Sequence, residues 1–414
     1  MGFKKNILFI SYDGLTDPLG PSQIIPYLIG LTKHGYQFTI LSCEKQEKFL
    51  TDKAIIINIL KPYPIKWVPI RYHKKPAVLS SVYDVIQLRN KAKQLHNKEH
   101  FDLVHTRPGV PALVGLWMKN RFGLKFLNDI REFFAESRVD GGMWNKENFF
   151  YKKIYDFFKR KEDEAIAASD GIVCLTYAAE KIIKQFQSYK KEIPVKVIPC
   201  SVDMDLFDPE KIDSALKSGF AKKLGISKND FIISYLGSIG GWYLTGQMMK
   251  FCKILYDKMP SAKFLFISPH QHETIYKEAE KFGIPIQNIL VTNASRNQVP
   301  ALLSFSNYSL FFIKPCYSKL SSSPTKHGEI MAMGIPVITN SGIGDVEEIV
   351  EKYNSGIVLK KLNDIEFFQI ADGLLKENKF DKKLIREGAV DFYNLKNSII
   401  SYNEIYSEVF STAK

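Results

Sequence analysis

Apolar, strand-like runs alternate with helix-like intervals along most of this chain of 414 residues. Such alternation is typical of a parallel β-sheet covered by helices. It runs twice, before and after a crossover segment at residues 197–207, and therefore predicts an α/β fold with two Rossmann-like halves. The predicted strands are residues 6–12, 38–43, 54–60, 102–106, 125–128, 171–175 and 195–199 in the first half, and residues 231–236, 263–268, 289–292, 308–314, 335–339 and 356–359 in the second.

The composition supports large buried cores, with 45% apolar and 13% aromatic residues. No apolar run approaches the length of about 18 residues that a membrane-spanning helix needs. The apolar run after Lys4 and Lys5 is too short for a signal peptide and predicts a first strand. The five cysteines are scattered, odd in number and without zinc-binding spacing. We therefore expect reduced thiols in a cytoplasmic protein.

The net charge of +13 calls for an anionic partner. Nucleic acid, an anionic membrane surface and phosphorylated substrates are the three classes that such a charge favours. Nucleic acid is the least favoured, because the chain has no zinc-finger pattern, no aromatic RNA-binding signature and no heptad repeat.

The segment 321–340 predicts a short helix that runs into a buried strand. Pro324 suits the first helical turn, Ser322 or Ser323 can cap it, and Gly334 can end it in a left-handed conformation. A helix start that carries hydroxyls and Lys326 is an anion site, with phosphate the usual ligand. Glu329 follows on the same face, where its carboxylate can accept hydrogen bonds from a sugar diol. The alternative is an ordinary helix cap with a solvated Glu329.

Two turns that contain glycine follow predicted first strands, as in phosphate-facing loops. The first, residues 13–23, lacks the G-x-G-x-x-G spacing and so argues against NAD. The second, residues 237–243, follows a buried strand, and its backbone N–H groups, at Gly237, Ser238 and Gly240, can face a phosphate. A tight packing turn remains the alternative.

A cluster of ionisable residues follows the predicted strand 125–128. Charged groups at the carboxyl end of a strand are candidates for catalysis or anion binding. A surface ion-pair network is the alternative. The candidates are Asp129, Arg131, Glu132, Glu136 and Arg138, together with His105 after the preceding strand, which we expect to satisfy a strand end or to line an acceptor side.

Two segments combine aromatic and basic residues. Residues 61–76 include Trp67, Lys74 and Lys75, and residues 148–161 predict a helix with aromatic residues beside lysines. Both suit an anionic bilayer surface or lipid phosphate groups. For the helix, we favour the alternative that its aromatic stripe packs into the core.

The segment 321–340 resembles the donor-binding motif of glycosyltransferase family 4, of the bacterial surface-polysaccharide type. The family motif has two glutamates separated by seven residues; Glu329 matches the second, which in the family holds the nucleotide ribose, and Ser321 replaces the first. The turn at Gly20 and Gln23 and the linker 197–207 resemble family elements in the same order. The family's Arg and Lys after the strand at 231–236 are missing. We expect Lys314, Lys319, Lys326 or Arg296 to replace them.

The resemblance implies a GT-B fold, with two Rossmann-like domains facing a cleft. The domains would be residues 1–202, on the acceptor side, and 203–394, on the donor side, with a last helix (395–414) that returns to the first domain. It implies a retaining enzyme that needs no metal and moves a sugar from a UDP- or GDP-linked donor to a glycan or lipid-linked acceptor. The Asp203–Asp205 pair is accordingly not taken as a metal site.

Site roles follow from the same resemblance. We expect Arg131, Asp129 and Lys326 to be catalytic, and we place His105, Glu136, Arg138, Trp67, Lys74 and Lys75 on the acceptor or membrane side. The expected donor contacts are Gly20, Gln23, Gly237, Ser238, Gly240, Arg296, Lys319, Ser321, Ser322, Ser323, Thr325, Lys326 and Glu329. The alternatives are a sugar-nucleotide 2-epimerase of the same fold and a non-catalytic protein that binds nucleotide-sugars.

Overall fold

The computed structural model describes residues 5–76, 78–269, 272–376 and 380–411. The chain forms two compact units, one made of Met1–Ser201 together with Leu395–Lys414 and the other of Val202–Asn394. Each unit is built on one parallel sheet with helices on its two faces.

The first unit has a seven-stranded sheet in the order β3-β2-β1-β4-β5-β6-β7. Its strands are β1 (Lys5–Ser11), β2 (Tyr36–Glu44), β3 (Ile65–Arg71), β4 (Leu103–Arg107), β5 (Lys125–Ile130), β6 (Gly171–Cys174) and β7 (Val195–Val197). Its helices are α1 (Leu19–Gln23), α2 (Ile25–Thr32), α3 (Gln46–Leu60), α4 (Leu79–Glu99), α5 (Val110–Phe122), α6 (Phe134–Asp140), α7 (Phe149–Ala168), α8 (Tyr177–Ile183) and, from the end of the chain, α17 (Leu395–Ser411).

Side chains of β1 alternate between two apolar cores on opposite faces of this sheet. Ile7 and Phe9 pack in one core with residues of α2, α3 and α17. Leu8 and Ile10 pack in the other with residues of α4, α5 and α7. This period of two is what a strand buried on both faces requires. The last helix is therefore an integral part of the first unit.

The second unit has a six-stranded sheet in the order β10-β9-β8-β11-β12-β13. Its strands are β8 (Ile232–Leu236), β9 (Lys263–Ile267), β10 (Ile289–Thr292), β11 (Tyr308–Phe311), β12 (Val337–Asn340) and β13 (Gly356–Leu359). Its helices are α9 (Ser214–Leu224), α10 (Thr245–Lys258), α11 (His272–Lys281), α12 (Val299–Leu303), α13 (Thr325–Ala332), α14 (Val346–Lys352), α15 (Asp364–Leu374) and α16 (Lys382–Tyr393).

One predicted strand is wrong. Residues 54–60 form the last turns of α3 rather than a strand. No glycine or proline interrupts the helix from Gln46 onward, and this continuity overrides the β-propensity of three consecutive isoleucines. The strand lies in the next segment, β3, which the sequence analysis treated as a basic and aromatic stretch at residues 61–76.

The helix predicted at residues 321–340 begins slightly later than expected. Pro324 is the N-cap residue of α13 rather than part of its first turn. Gly334 has φ +68° and so ends the helix as predicted. A Cβ atom there would lie 2.6 Å from the carbonyl oxygen of Lys382, so the position needs glycine for its space as well as its conformation.

No helix within the described residues has both the length and the apolar character that crossing a bilayer requires.

Candidate functional site

The sheet of the second unit has a topological switch point between β8 and β11. The chain moves outward on one side from β8 to β9 and β10, then returns to continue on the other side with β11 and β12. In open parallel sheets, ligands bind outside the carboxyl ends of the strands at such a point. The turn after β8, which begins at Gly237, and the connection from β11 to α13 lie at this edge.

Lys326, in the first turn of α13, is the buried cation of this edge. Only 7% of its surface is exposed. Its Nζ atom lies 3.7 Å from the centre of the Tyr243 ring and 4.3 Å from that of Tyr235. It also donates a hydrogen bond of 3.2 Å to the Tyr235 hydroxyl. No carboxylate of the described residues lies within 4.0 Å of it, so the ammonium is held by aromatic faces and one hydroxyl.

Burial lowers the pKa of Lys326 to about 7, and the carboxylate of Glu329 opposes this shift. A buried ammonium is costly unless an anion or hydrogen bonds compensate its charge. The site is therefore suited to an anion, which would supply the missing negative charge next to the N-terminus of an eight-residue helix.

The glycine turn after β8 leaves room for this lysine. Gly237 has φ +117°, and a Cβ atom there would lie 2.9 Å from the Nζ atom of Lys326. The Tyr235 hydroxyl donates to the Ser238 carbonyl, and the Gly240 N–H donates to the Thr245 hydroxyl over 3.1 Å. The turn therefore lies against the lysine side chain, and a phosphate contact by its N–H groups stays a prediction.

The same turn is tied to the segment after β11 by main-chain hydrogen bonds. The N–H of Leu244 donates to the Phe312 carbonyl over 2.9 Å, and the N–H of Lys314 donates to the Trp242 carbonyl over the same distance. The two chain segments that flank the switch point are therefore joined directly through their main chains.

Glu329 lies one turn further along α13 and is 6% exposed. Its Oε1 atom accepts a hydrogen bond of 2.7 Å from Nη1 of Arg296. Burial raises the pKa of Glu329, while the Arg296 guanidinium lowers it. Arg296 follows β10 in a short 3₁₀ turn and is about a third exposed. The structure therefore brings together three predicted donor contacts, Lys326, Glu329 and Arg296.

The remaining predicted donor contacts of this unit lie in or just after the 3₁₀ turn Tyr317–Ser321. The Nζ atom of Lys319 lies 3.8 Å from the centre of the Trp242 ring. Ser321 is fully buried, and its hydroxyl donates to the Ser318 carbonyl over 2.8 Å. Ser322 and Ser323 lead from this turn into α13, where Thr325 is the first residue. The serine that replaces the motif's first glutamate thus faces its own turn.

In the first unit, Asp129, Arg131 and His105 form one buried network. The Oδ1 atom of Asp129 lies 2.7 Å from Nε of Arg131, and Oδ2 lies 3.3 Å from Nε2 of His105. Two tyrosines of α17 complete it: the Tyr402 hydroxyl donates to Asp129 Oδ2 over 2.8 Å, and the Tyr406 hydroxyl lies 2.8 Å from Nδ1 of His105.

Electrostatics favour the charged forms of Asp129 and Arg131 in this network. Burial alone would raise the pKa of Asp129, but the Arg131 guanidinium and the hydrogen bond with His105 hold it well below the usual range. Burial lowers the pKa of His105. The network pairs its charges internally, at the place where the sequence analysis considered either catalysis or an ion-pair network. A direct catalytic role for Asp129 and Arg131 stays a prediction.

The first glycine-containing turn is held by a carboxylate of its own unit. Glu44, at the end of β2, accepts hydrogen bonds of 2.7 Å from the N–H of Leu15 and 2.6 Å from the hydroxyl of Thr16. A Cβ atom at Gly20 would lie 2.1 Å from the Leu15 carbonyl oxygen. The side chain of Gln23 is also engaged, donating to the Ser201 carbonyl over 3.0 Å. Donor contacts by Gly20 and Gln23 stay predictions.

The other predicted residues of the first unit are spread over several surfaces. Glu136 lies 2.9 Å from the Lys159 ammonium, and Arg138 stacks on Phe134 with its guanidinium 4.3 Å from the ring centre. Trp67 lies in β3 and donates to the Ser42 hydroxyl over 2.8 Å. Lys74 and Lys75 are exposed.

Sequence reasoning missed the groups that surround the predicted charges. Tyr235 lies near the end of a buried strand and Tyr243 at the end of the glycine-containing turn, and the sequence analysis assigns neither of them to the site. Tyr402 and Tyr406 lie far along the chain from Asp129. The one available signal was the spacing of Tyr235 and Tyr243 on either side of the glycines.

The comparisons with known proteins address the fold and the second unit. Residues 217–390 match the family model described as Glycosyl transferases group 1. This group 1 region lies within the second unit and contains Lys326, Glu329 and Arg296. The sequence matches no curated protein.

Several solved structures are similar to this chain over nearly its whole length. Sucrose-phosphate synthase from Thermosynechococcus elongatus has a TM-score of 0.72 and 14% identity, covering 99% of this chain and 100% of its own. HepE from Anabaena, in complex with UDP and glucose, has a TM-score of 0.71 and 12% identity, covering 97% and 99%. WaaG, a glycosyltransferase involved in lipopolysaccharide biosynthesis, has a TM-score of 0.67 and 12% identity, covering 96% and 99%. The predicted GT-B fold of two parallel-sheet Rossmann-like domains is confirmed.

Proposed function

We propose that the protein is a glycosyltransferase that takes a sugar from a nucleotide-sugar, UDP- or GDP-linked. The main support for this proposal is the buried Lys326 ammonium at the switch point of the group 1 region. Among the described residues, this ammonium has no carboxylate partner. A diphosphate would supply the negative charge that the lysine lacks. The complex of HepE with UDP supports this class of donor.

Different residues of the second unit would bind different parts of the donor. Lys326, the N-terminus of α13 and the turn at Gly237 would hold the diphosphate. Glu329, held by a hydrogen bond from Arg296, would accept hydrogen bonds from the ribose hydroxyls. Stabilisation of the departing diphosphate by fixed groups lowers the barrier to breaking the bond between the sugar and the phosphate oxygen.

We propose transfer with retention of configuration. The bond from C1 of the sugar to the phosphate oxygen breaks, and the acceptor hydroxyl oxygen bonds to C1 on the same face. The proton of that hydroxyl passes to a phosphate oxygen of the leaving diphosphate. Because this path needs no protein nucleophile, it is compatible with Ser321 in place of a glutamate. We assign no metal ion to the step.

The acceptor is proposed to be a glycan or a lipid-linked glycan, in the synthesis of a cell-surface polysaccharide. The likeness in fold to WaaG supports this class of product, and the net charge of +13 supports a cytoplasmic protein that contacts an anionic inner membrane surface.

A thermal-shift screen with UDP, GDP, ADP, CMP and dTDP, and with their sugar conjugates, tests the donor. A ligand at a hundred times its Kd adds about 2.7 kcal/mol to the free energy of unfolding, which raises Tm measurably. We expect one nucleoside diphosphate to raise Tm. No shift with any compound would contradict the donor site.

Turnover separates an enzyme from a binding protein. The sugar conjugate that raises Tm is incubated with the protein and a bacterial lipid extract as acceptor source, and release of the nucleoside diphosphate is followed. Release that the Lys326→Met variant does not show supports transfer, whereas binding without release supports the non-catalytic alternative.

A further inference from the structure

The first two turns of α4 expose a stripe of large apolar side chains. Leu79, Val82 and Ile86 are 66%, 52% and 51% exposed, with Tyr83 beside them at 48%. Their spacing of three and four residues places them on the face opposite the buried residues Ser80, Asp84 and Leu88 of this helix. Soluble proteins bury such a stripe or use it for binding.

The same helix becomes polar on this face further along. Asn90, Lys93 and Asn97 continue the stripe, and all three are exposed. The apolar part is therefore confined to the N-terminal end of α4. In a parallel sheet, that end lies at the carboxyl edge of the strands.

Helix α7 repeats this arrangement. Phe149, Phe150 and Phe157 are 71%, 57% and 39% exposed, while Ala165 and Ile166 at its other end are buried. The sequence analysis favoured a core position for this aromatic stripe. That prediction is wrong for these three phenylalanines, although Tyr151, Tyr155 and Phe158 are half-buried.

The two stripes belong to one layer of helices. Side chains of α4, α5 and α7 share one apolar core on the same face of the sheet, and α5 packs between the other two. The N-terminal ends of α4 and α7 thus lie at the same edge of this layer. We call the exposed side chains of Leu79, Val82, Ile86, Phe149, Phe150 and Phe157 the α4–α7 surface.

Basic residues flank both stripes. Between residues 71 and 93 the basic side chains are Arg71, Lys74, Lys75, Arg89, Lys91 and Lys93. The carboxylate of that segment, Asp84, is buried and lies 2.6 Å from His73.

Near the α7 stripe, Lys153 lies over the Phe149 ring at 4.4 Å and Arg160 over the Phe157 ring at 6.0 Å. Exposed apolar groups with surrounding cations match the two layers of an anionic bilayer surface, acyl chains beneath charged head groups.

We propose that the α4–α7 surface docks on an anionic phospholipid membrane. The apolar side chains would enter the boundary between head groups and acyl chains, and the lysines and arginines would contact lipid phosphates. This inference deepens the proposed function. It rests on that proposal only for the purpose of docking, which is to bring the protein to a lipid-linked acceptor. Its test needs no nucleotide-sugar.

Flotation with lipid vesicles tests the surface. The full chain is mixed with vesicles of phosphatidylcholine alone or of equal parts phosphatidylcholine and phosphatidylglycerol. We expect binding to the mixed vesicles at least about ten-fold stronger than to the neutral ones. We expect the triple variants Leu79→Ser/Val82→Ser/Ile86→Ser and Phe149→Ser/Phe150→Ser/Phe157→Ser each to lose at least about ten-fold of that binding.

Helix α3 offers a matched control. Leu50, Ile55 and Ile57 are also exposed, at 74%, 58% and 45%, but α3 packs on the opposite face of the sheet. The variant Leu50→Ser/Ile55→Ser/Ile57→Ser removes as much exposed apolar surface and should keep vesicle binding. Tm and the Tm shift with the nucleotide should stay unchanged in all three variants, so loss of vesicle binding is separated from loss of fold or of the donor site.

Three outcomes would overturn the proposal. The first is that the wild-type chain binds neither kind of vesicle. The second is that the α3 variant loses binding as strongly as the α4 and α7 variants. The third is that the wild-type chain is a dimer in solution, that the α4 variant is a monomer and that vesicles bind neither, which would assign the surface to a second copy of the chain.

Discussion

The Nζ atom of Lys326 lies 3.7 Å from the centre of the Tyr243 ring, at the carboxyl edge of the second sheet. Aromatic faces attract a cation, but they cannot neutralise it as a carboxylate does. The lysine is therefore held in place without being neutralised. An anion-binding site requires such a lysine, whose position is fixed by the protein but whose charge is not compensated by it. The ligand then supplies the missing negative charge.

Replacing Lys326 with methionine should change stability and binding in opposite directions. Methionine fills a similar volume without a buried charge, so we expect the ligand-free protein to gain about 1–3 kcal/mol of unfolding free energy at pH 6. The Tm shift with the nucleoside diphosphate should disappear. Denaturant unfolding and thermal shift measure both, with the exposed Lys222→Met as control. A destabilised variant that still binds nucleotide would contradict this role.

The same lysine predicts how stability and binding depend on pH. Its folded-state pKa of about 7 lies below its unfolded value of 10.5, so the unfolded chain binds more protons between these values. The free energy of unfolding should therefore rise with pH in this window. The diphosphate favours the ammonium, so donor affinity should fall about ten-fold per pH unit above 7.

Calorimetry measures the proton directly. A UDP-sugar is titrated at pH 8 in two buffers of different ionisation enthalpy, because its diphosphate has no group that titrates there. We expect uptake of nearly one proton per donor bound. Binding without proton uptake would show that Lys326 is not the group that meets the diphosphate.

Gly237 should be more sensitive to a side chain than its neighbour Gly241. Both have positive φ, at +117° and +60°, so both alanine variants carry backbone strain of about 1 kcal/mol or more. Only at Gly237 would the Cβ atom meet the Nζ atom of Lys326. We expect Gly237→Ala to weaken nucleotide binding at least about ten-fold and Gly241→Ala to leave it within about two-fold. If both variants lose the same amount of nucleotide affinity in a binding titration, backbone strain rather than contact with Lys326 causes the loss.

Glu329 and Arg296 should together select ribose. Hydrogen bonds to a charged group contribute about 1.5–3 kcal/mol, so Glu329→Gln should weaken UDP binding and reduce the preference for UDP over 2′-deoxy-UDP. Arg296→Ala should act in the same direction, because the buried Glu329 loses the guanidinium that holds its carboxylate and lowers its pKa. Titrations of both nucleotides with each variant provide the measurement. A preference that survives in both variants would place the ribose elsewhere.

Asp129→Asn should act mainly on stability. It leaves the buried Arg131 guanidinium without its carboxylate, which costs about 3–5 kcal/mol of unfolding free energy. Since the folded-state pKa of Asp129 is lowered, the stability it contributes is present above the unfolded pKa of about 3.9 and is lost only in stronger acid. Unchanged stability with lost transfer activity would instead support the predicted catalytic role.

The sequence predicted both sheets, apart from one strand, because apolar runs, glycine turns and helix ends are local signals. It also predicted that Lys326 and Glu329 lie on one helix, three residues apart; their contact with a donor stays a prediction. It could not predict which groups meet those charges. Arg296 reaches Glu329 from another strand end, and Tyr235 reads locally as an ordinary core residue. Residues 54–60 were misjudged because their isoleucines favour a strand, whereas the uninterrupted run from Gln46 favours a helix.

The position of α17 at the end of the chain affects when the first unit can complete its fold during synthesis. Tyr402 and Tyr406 are the partners of Asp129 and His105, yet they leave the ribosome only after all of Val202–Asn394. Until then, the emerging first unit has a polar interior with two partners missing and an open apolar face along α2. The first unit can therefore complete its core only after the second unit has been synthesised, whereas the second unit is contiguous in sequence.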